Sequence, residues 1–199
     1  VKRILIATGN PGKLAEIQAL IDHSRFDLII PRMLGISLEV EETGNSYEEN
    51  ASLKALAYSK ASRLVTLADD SGLEVDALGG QPGIRSARFS PLPEATDADR
   101  RAYLLKLLQG RPQPWHAHFH CTVAIATPQG KVYYAQGNCA GEIIQSERGT
   151  NGFGYDPIFF IPEARLTMAE LSMQEKNQLS HRARAIKAAL PIINAIIGE

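Results

Sequence analysis

The chain lacks most of what would mark a secreted, membrane-embedded or nucleic-acid-binding protein. Its 199 residues include only two cysteines, Cys121 and Cys139, each within a strand-like segment. That usage fits a reducing compartment in which both are small buried apolar residues, and the core needs no disulfide staples. No apolar run approaches the ~18 residues of a membrane-spanning helix, and the first residues read as a strand rather than a charged-then-apolar leader. The formal net charge is −1, so no surplus of Lys and Arg exists to drive general binding to nucleic acid. Internal repeats and low-complexity segments are missing too. A soluble, cytoplasmic protein is expected. With 44% hydrophobic and 22% charged residues, the chain can bury a core as one large domain or two small lobes.

Against that plain background stands Ala68-Asp69-Asp70-Ser71-Gly72-Leu73, which follows the apolar Leu64, Val65 and Leu67. Successive side chains of a strand point to opposite faces, so Asp69 and Asp70 cannot share one site while both lie in regular strand. Ser71-Gly72 predicts a break there, which would bring both carboxylates to the strand's end. Carboxylates so placed suit Mg2+, a hard cation that takes one or two of them together with substrate phosphates and keeps several waters. An Asx-type turn, with the aspartates bonded to nearby amides, is the alternative.

The apolar run Ile4–Ala7 reads as a buried strand feeding Thr8-Gly9-Asn10-Pro11-Gly12-Lys13, after which Leu14, Ile17, Leu20 and Ile21 recur at helical spacing. Asn10 reads as an N-cap and Pro11 as the first helical residue. Such a helix start, with its Lys, is a natural anion site, although the spacing is not that of a Walker loop. Ser46 with Glu49 predicts a capped helix from about Tyr47 through Ser62, preceded by a loop holding Glu41 and Glu42. Thr96 with Asp99 and Ser172 with Glu175 predict further helix starts. His116, His118 and His120 alternate along a strand and read as a polar outer face, because strand side chains two apart stand parallel and do not converge on a zinc ion. In the glycine-rich Gly149–Pro157 loop, Phe153 or Tyr155 is available to stack on a flat ligand. A last helix starts at Ser180-His181-Arg182, with Pro191 expected to kink or interrupt it. Cations at a helix N-terminus oppose the dipole, which hints at a bound anion or polar ligand.

TGNPGK (Thr8–Lys13), EETG (Glu41–Gly44), ENA with the later Lys54, ADDSGL (Ala68–Leu73), GQPGIRSARF (Gly80–Phe89), GFGYDPIF (Gly152–Phe159), EKN (Glu175–Asn177) and SHR (Ser180–Arg182) span nearly the whole chain. In order and spacing they resemble the inosine/xanthosine triphosphate pyrophosphatases, which hydrolyse noncanonical purine nucleoside triphosphates. The resemblance implies an α/β fold, with a long mixed central β-sheet flanked by helices. It implies a single domain over 1–199, in two lobes with the active-site cleft between them, and a homodimer. Thr8, Gly9, Asn10, Pro11, Gly12 and Lys13 would cradle the triphosphate. Asp70 would be the proton acceptor, Glu41 and Asp70 would hold Mg2+, and Ser71 would touch substrate. Phe153, Gly154, Tyr155, Asp156, Lys176, His181 and Arg182 would surround base and phosphates. The purine 6-oxo group is an acceptor where adenine carries an amino donor, so donors from His181, Arg182 or backbone would reject adenine. Two other readings stay open: a related pyrophosphatase for pyrimidine or modified nucleotides, and a non-catalytic nucleotide or RNA-binding module. Clustered carboxylates argue against the module, since they repel phosphate unless a metal intervenes.

Overall fold

A computed structural model describes residues 2–198. Seven strands form one mixed sheet: β1 (Lys2–Ile6), β2 (Phe26–Ile29), β3 (Val65–Val75), β4 (Trp115–Ala126), β5 (Val132–Ile143), β6 (Phe159–Ile161) and β7 (Leu166–Thr167), in the order β2-β1-β3-β4-β5-β6-β7. β1 runs parallel to both β2 and β3, whereas β6 is antiparallel to β5 and β7. The helices are α1 (Pro11–Leu20), α2 (Tyr47–Ser62), α3 (Asp97–Leu108), α4 (Met173–Leu179) and α5 (His181–Gly198). This is the α/β architecture with a long mixed sheet that the sequence predicts. The chain divides into two compact units, one holding residues up to Asp70, Cys121–Gly137 and the chain from His181 on, the other Ser71–His120 and Asn138–Ser180. No helix among the described residues is long and apolar enough to cross a membrane.

Local chemistry sets the helix starts. Asn10 caps α1 by accepting from the amides of Gly12 and Lys13, at 2.8 and 3.1 Å. Thr96 and Ser172 each close a reciprocal capping box, with Asp99 and Glu175. Ser46 caps α2 through the Glu49 amide, but the Glu49 carboxylate reaches back one residue further than expected, to the Asn45 amide at 2.6 Å. The observed α2 is the Tyr47–Ser62 helix that this pairing predicts.

One expectation fails, and so does one alternative of another. β3 does not break at Ser71-Gly72 but continues for 11 residues. β1 pairs with β3 only over Val65–Leu67, and β4 is its other neighbour in the sheet; one glycine within a strand weakens it without ending it. Pro191 does not interrupt α5, which runs on to Gly198. Proline removes one intrahelical bond, while Ile186, Ala189 and Ile193 hold both halves of the helix in the apolar interior.

In the first unit the two faces of the sheet bury different matter. Leu67 belongs with Ile4, Ile6, Cys121, Val123 and Ile125 to a core shared with Ile17 of α1 and Ile186 of α5. Ala68 belongs to a second, alanine-lined cluster with Ala51 and Ala55 of α2 and with Ala124 and Ala126. Small side chains let α2 lie close to the sheet. The strand's alternation therefore aims odd residues of β3 at α1 and α5 and even residues at α2. The second unit has its own core, in which Leu104 and Leu108 of α3 meet Trp115, Phe119, Phe159 and Met168.

Candidate active site

With β3 unbroken, the acidic pair is split. Asp69 points toward α1 and α5. Its Oδ2 accepts from Lys13 Nζ at 3.0 Å and from Arg182 Nε at 3.2 Å. Asp70 points toward α2, where its Oδ2 accepts from Asn50 Nδ2 at 3.0 Å. Lys54, one helical turn beyond Asn50, donates to the Asp69 carbonyl at 2.7 Å and to Glu42 Oε1 at 2.9 Å. The two α2 side chains thus reach β3 together, as positions four apart on one helix face must.

The phosphate-loop candidates Thr8, Gly9, Asn10, Pro11, Gly12 and Lys13 lie beside this pair for a reason of register. Parallel pairing sets Ile6 against Leu67, and the Ala7 amide donates to the Leu67 carbonyl at 2.8 Å. The chain leaving β1 therefore comes level with the aspartates. Thr8 Oγ1 accepts from the Asn10 amide at 3.2 Å, and the Gly12 and Lys13 amides are already bonded to Asn10.

Of the two glutamates in the acidic loop, Glu42 is half-buried against Lys54 while Glu41 is exposed. The loop is tied down by Gly44, whose amide donates to Asn50 Oδ1 at 2.8 Å. A Cβ on Gly44 would lie 2.6 Å from Glu49 Cβ and 2.8 Å from Asn50 Oδ1. One asparagine therefore links the acidic loop to Asp70, and only glycine permits it. Gly44→Ala is expected to lower stability by about 1–3 kcal/mol through overpacking, and to lower kcat/KM as Asn50 is pushed off Asp70. Chemical denaturation and steady-state kinetics on the same preparation check both.

The charges set the protonation states. Burial alone would raise the Asp69 carboxyl, but Lys13, Arg182 and Lys54 outweigh it and hold that carboxyl well below its ordinary range. Burial lifts the Asp70 carboxyl above its ordinary value, against the opposing pull of Lys54, Lys13 and the Asn50 hydrogen bond, with Glu42 adding to the rise. Burial works against the Lys54 ammonium, yet Asp69 and Glu42 keep it charged. Burial pushes the Cys121 thiol up to about 12, so it is an inert core residue despite lying 3.9 Å from Asp69.

The donors around Asp70 are oxygens and amides, suited to a hard cation. Among the described residues no cluster of three or more His, Cys, Asp or Glu side chains could hold an ion unaided.

The remaining candidates belong to the second unit or to α5. Ser71 is half-buried. Asp156 is buried and bonded to Lys176 Nζ at 2.6 Å and to the Phe153 amide at 3.0 Å. Lys176, itself buried, also sits 5.3 Å from the centroid of the Phe153 ring. Tyr155 is buried in the core and donates its hydroxyl to the Ser86 carbonyl at 2.9 Å, which leaves Phe153 as the half-buried aromatic of the loop. Gly154 is held from both sides, its amide on Asp97 and its carbonyl on Arg101, each at 2.8 Å. His181 and Arg182 open α5, both buried. The anion expected near these cations is in the protein itself, because the Arg182 guanidinium is enclosed by Asp69 and Glu16. The histidines of β4 face outward in the second unit, His118 against Glu74 at 3.0 Å and His120 against Asn138 at 2.7 Å.

Sequence reasoning gave no role to Glu16, named Asn50 and Lys54 only as parts of a family motif, and paired Asp69 with Asp70 as carboxylates suited to Mg2+ instead of with Lys13 and Arg182. The signal was present in helical spacing. Glu16 lies three residues after Lys13, and Asn50 four before Lys54, so each pair shares a helix face.

Comparison with known proteins places the whole chain in a family. Residues 4–192 match the Ham1 family. A dITP/XTP pyrophosphatase of Desulforamulus reducens is 45% identical over 196 residues, 98% of this chain and 96% of that one. One from Synechocystis is 47% identical over 183 residues, 92% of this chain and 90% of its own. A HAM1 protein from Coxiella burnetii superposes with a TM-score of 0.88 at 37% identity, covering 98% of this chain and all of that one, 100%. The Ham1 protein of Staphylococcus aureus gives a TM-score of 0.85 at 38% identity, with 98% and 100% covered. The chain belongs to the Ham1 family.

Proposed function

We propose that this protein is a nucleoside triphosphate pyrophosphatase that hydrolyses ITP, dITP and XTP to the nucleoside monophosphate and pyrophosphate. The observation that carries the reading is the meeting, within one unit, of a lysine-bearing helix start with a buried carboxylate. Lys13 stands at the start of α1, and Asp70 is fixed by Asn50 on the neighbouring strand. Names of relatives that are dITP/XTP pyrophosphatases support the substrate class.

In this reading Lys13 and Lys54 take up negative charge of the triphosphate, and Asp70 orients the attacking water in line with the α-phosphorus and accepts its proton. Asp70, with Glu41 or the nearer Glu42, would hold Mg2+. When bound, the ion supplies charge neutralisation on the phosphate oxygens. Phe153 offers its face to the purine, and His181 and backbone amides are the donors for the 6-oxo group, since Arg182 is enclosed by carboxylates. The protein works on the soluble nucleotide pool as a homodimer and removes deaminated purines before a polymerase meets them.

A substrate panel tests the reading. With Mg2+ present, pyrophosphate release from ITP and XTP is expected to exceed that from ATP by at least about 100-fold in kcat/KM, as for a site that rejects the 6-amino group by an unpaired polar group, and to exceed that from GTP as well, which shares the 6-oxo group and is distinguished only at its 2-amino group. Chelation with EDTA should abolish turnover and re-addition of Mg2+ restore it. Equal turnover of all four, or preference for a pyrimidine triphosphate, rejects the assignment, and tight binding without turnover points to a binding module.

A further inference from the structure

Asp69 sits at the junction of a graded chain of charges of which the proposed mechanism uses only Lys13. Glu16 and Arg182 form its far end, with side chains 4% and 2% exposed. Asp69, 1% exposed, is next, and Lys13, 15% exposed, is its only member with a substantial open face. One carboxylate oxygen, Asp69 Oδ2, receives both cations, at 3.0 Å from Lys13 Nζ and 3.2 Å from Arg182 Nε. We propose that Asp69 is a positioning residue for phosphate binding: braced from behind by Arg182 and Glu16, it fixes the Lys13 ammonium at the start of α1 and acts on the substrate only through Lys13.

Three physical points carry this. First, the burial of Asp69, Arg182 and Glu16 leaves Lys13 as the member of the chain that meets a triphosphate. Second, an ammonium has three donors, so the bond to Asp69 leaves others to turn toward phosphate oxygens. Third, a lysine on its four-carbon stem is a mobile point charge, and holding it before the ligand arrives removes an ordering penalty from the binding step. A lone aspartate beside a polyanion would repel it. Arg182 cancels that repulsion, which explains why a guanidinium is buried here at the positive end of α5. Asp69 and Asp70, adjacent in sequence, then divide the work by strand face: one sets the binding cation, the other the water.

This inference rests on Lys13 binding phosphate, as in the proposed function, and is tested separately from it. Wild type, Lys13→Ala, Asp69→Asn and the double variant are compared with ITP as substrate, with thermal melting recorded for each. Lys13→Ala is expected to raise KM by about 10–100-fold with a smaller change in kcat, the pattern of lost binding rather than lost chemistry. Asp69→Asn should raise KM by at least about tenfold in the wild-type background, yet by less than about twofold when Lys13 is already alanine. A role confined to stability would lower the melting temperature without this dependence on Lys13, and effects that multiply in the double variant overturn the proposal. Should Asp69→Asn fail to fold, Glu16→Gln replaces it, with the same dependence on Lys13 expected. If wild type does not turn over ITP, the proposed substrate is wrong. The cycle is then read on binding of inorganic tripolyphosphate by calorimetry, where failure of wild type to bind, or additive losses, reject the positioning role.

Discussion

Asp70→Asn is expected to lower kcat by a factor of about 1,000 or more while leaving the dissociation constant for nucleotide within a few-fold of wild type. The substitution keeps the shape of the side chain, and its amide oxygen can still accept from Asn50, so α2 stays docked on β3. What disappears is the negative charge that, in the proposed mechanism, would orient and deprotonate water and help hold a cation. General-base removal alone is worth about 100–10,000-fold, and loss of a metal ligand adds to it. Folding should tolerate the change well. The Asp70 carboxyl is raised by burial, so replacing it by a neutral isostere relieves desolvation instead of breaking an optimised ion pair. Single-turnover kinetics together with equilibrium binding of the nucleotide separate the two effects. A variant that binds weakly and turns over normally when saturated would assign Asp70 to binding alone.

Arg182→Ala should produce the largest loss of stability of any single surface-remote change in the first unit, about 3–5 kcal/mol. Two buried carboxylates, Glu16 and Asp69, share this guanidinium. Removing it takes from Glu16 the guanidinium it is paired with and leaves Asp69 with Lys13 alone at its shared oxygen, in a region built from Ile4, Ile6, Ile17 and Leu67. For a chain of this length such a loss corresponds to a melting temperature lower by roughly 10 °C or more. Arg182→Lys should recover only part of it, because a single ammonium cannot serve two carboxylates from the positions of a planar fork. Urea denaturation of both variants decides the point. If alanine costs under about 1 kcal/mol, water reaches the carboxylates and the pair is not the buried brace described above.

The parts of this molecule that were legible in its sequence are those governed by neighbours in the chain. Asn10, Ser46, Thr96 and Ser172 announce helix starts because a cap bonds an amide two or three residues away, and all four do so. The apolar run of β1 feeding such a start reads as one strand–loop–helix unit, while the α/β class as a whole comes from the family resemblance. What sequence concealed depends on distant partners. Ser71-Gly72 reads as a break, yet β3 runs through it beside β4 in the sheet. Arg182 reads as a cation in search of a ligand only until α1 and β3 deliver Glu16 and Asp69. Tyr155, chosen as a stacking ring, turns out to be core, since nothing local reveals that Ser86 will accept its hydroxyl. The prediction of two aspartates gathered at one strand end failed for the same reason. The rule that strand neighbours face opposite ways was available, and the strand obeys it.

The glycine-rich loop before β6 carries a consequence for how quickly a ring could be admitted there. Gly152, at φ +77°, lies where any Cβ would come within 2.0 Å of Asp156 Oδ2. Asp156 clasps both the Phe153 amide and Lys176, Asn151 is stitched to Ala169 and Leu171, and Gly154 is pinned by Asp97 and Arg101. A segment so fully sewn down has surrendered its conformational freedom during folding, and none is left to forfeit on encounter. A base that stacks on Phe153, as in the proposed function, would then meet a loop already ordered, with little further ordering to be done at that ring.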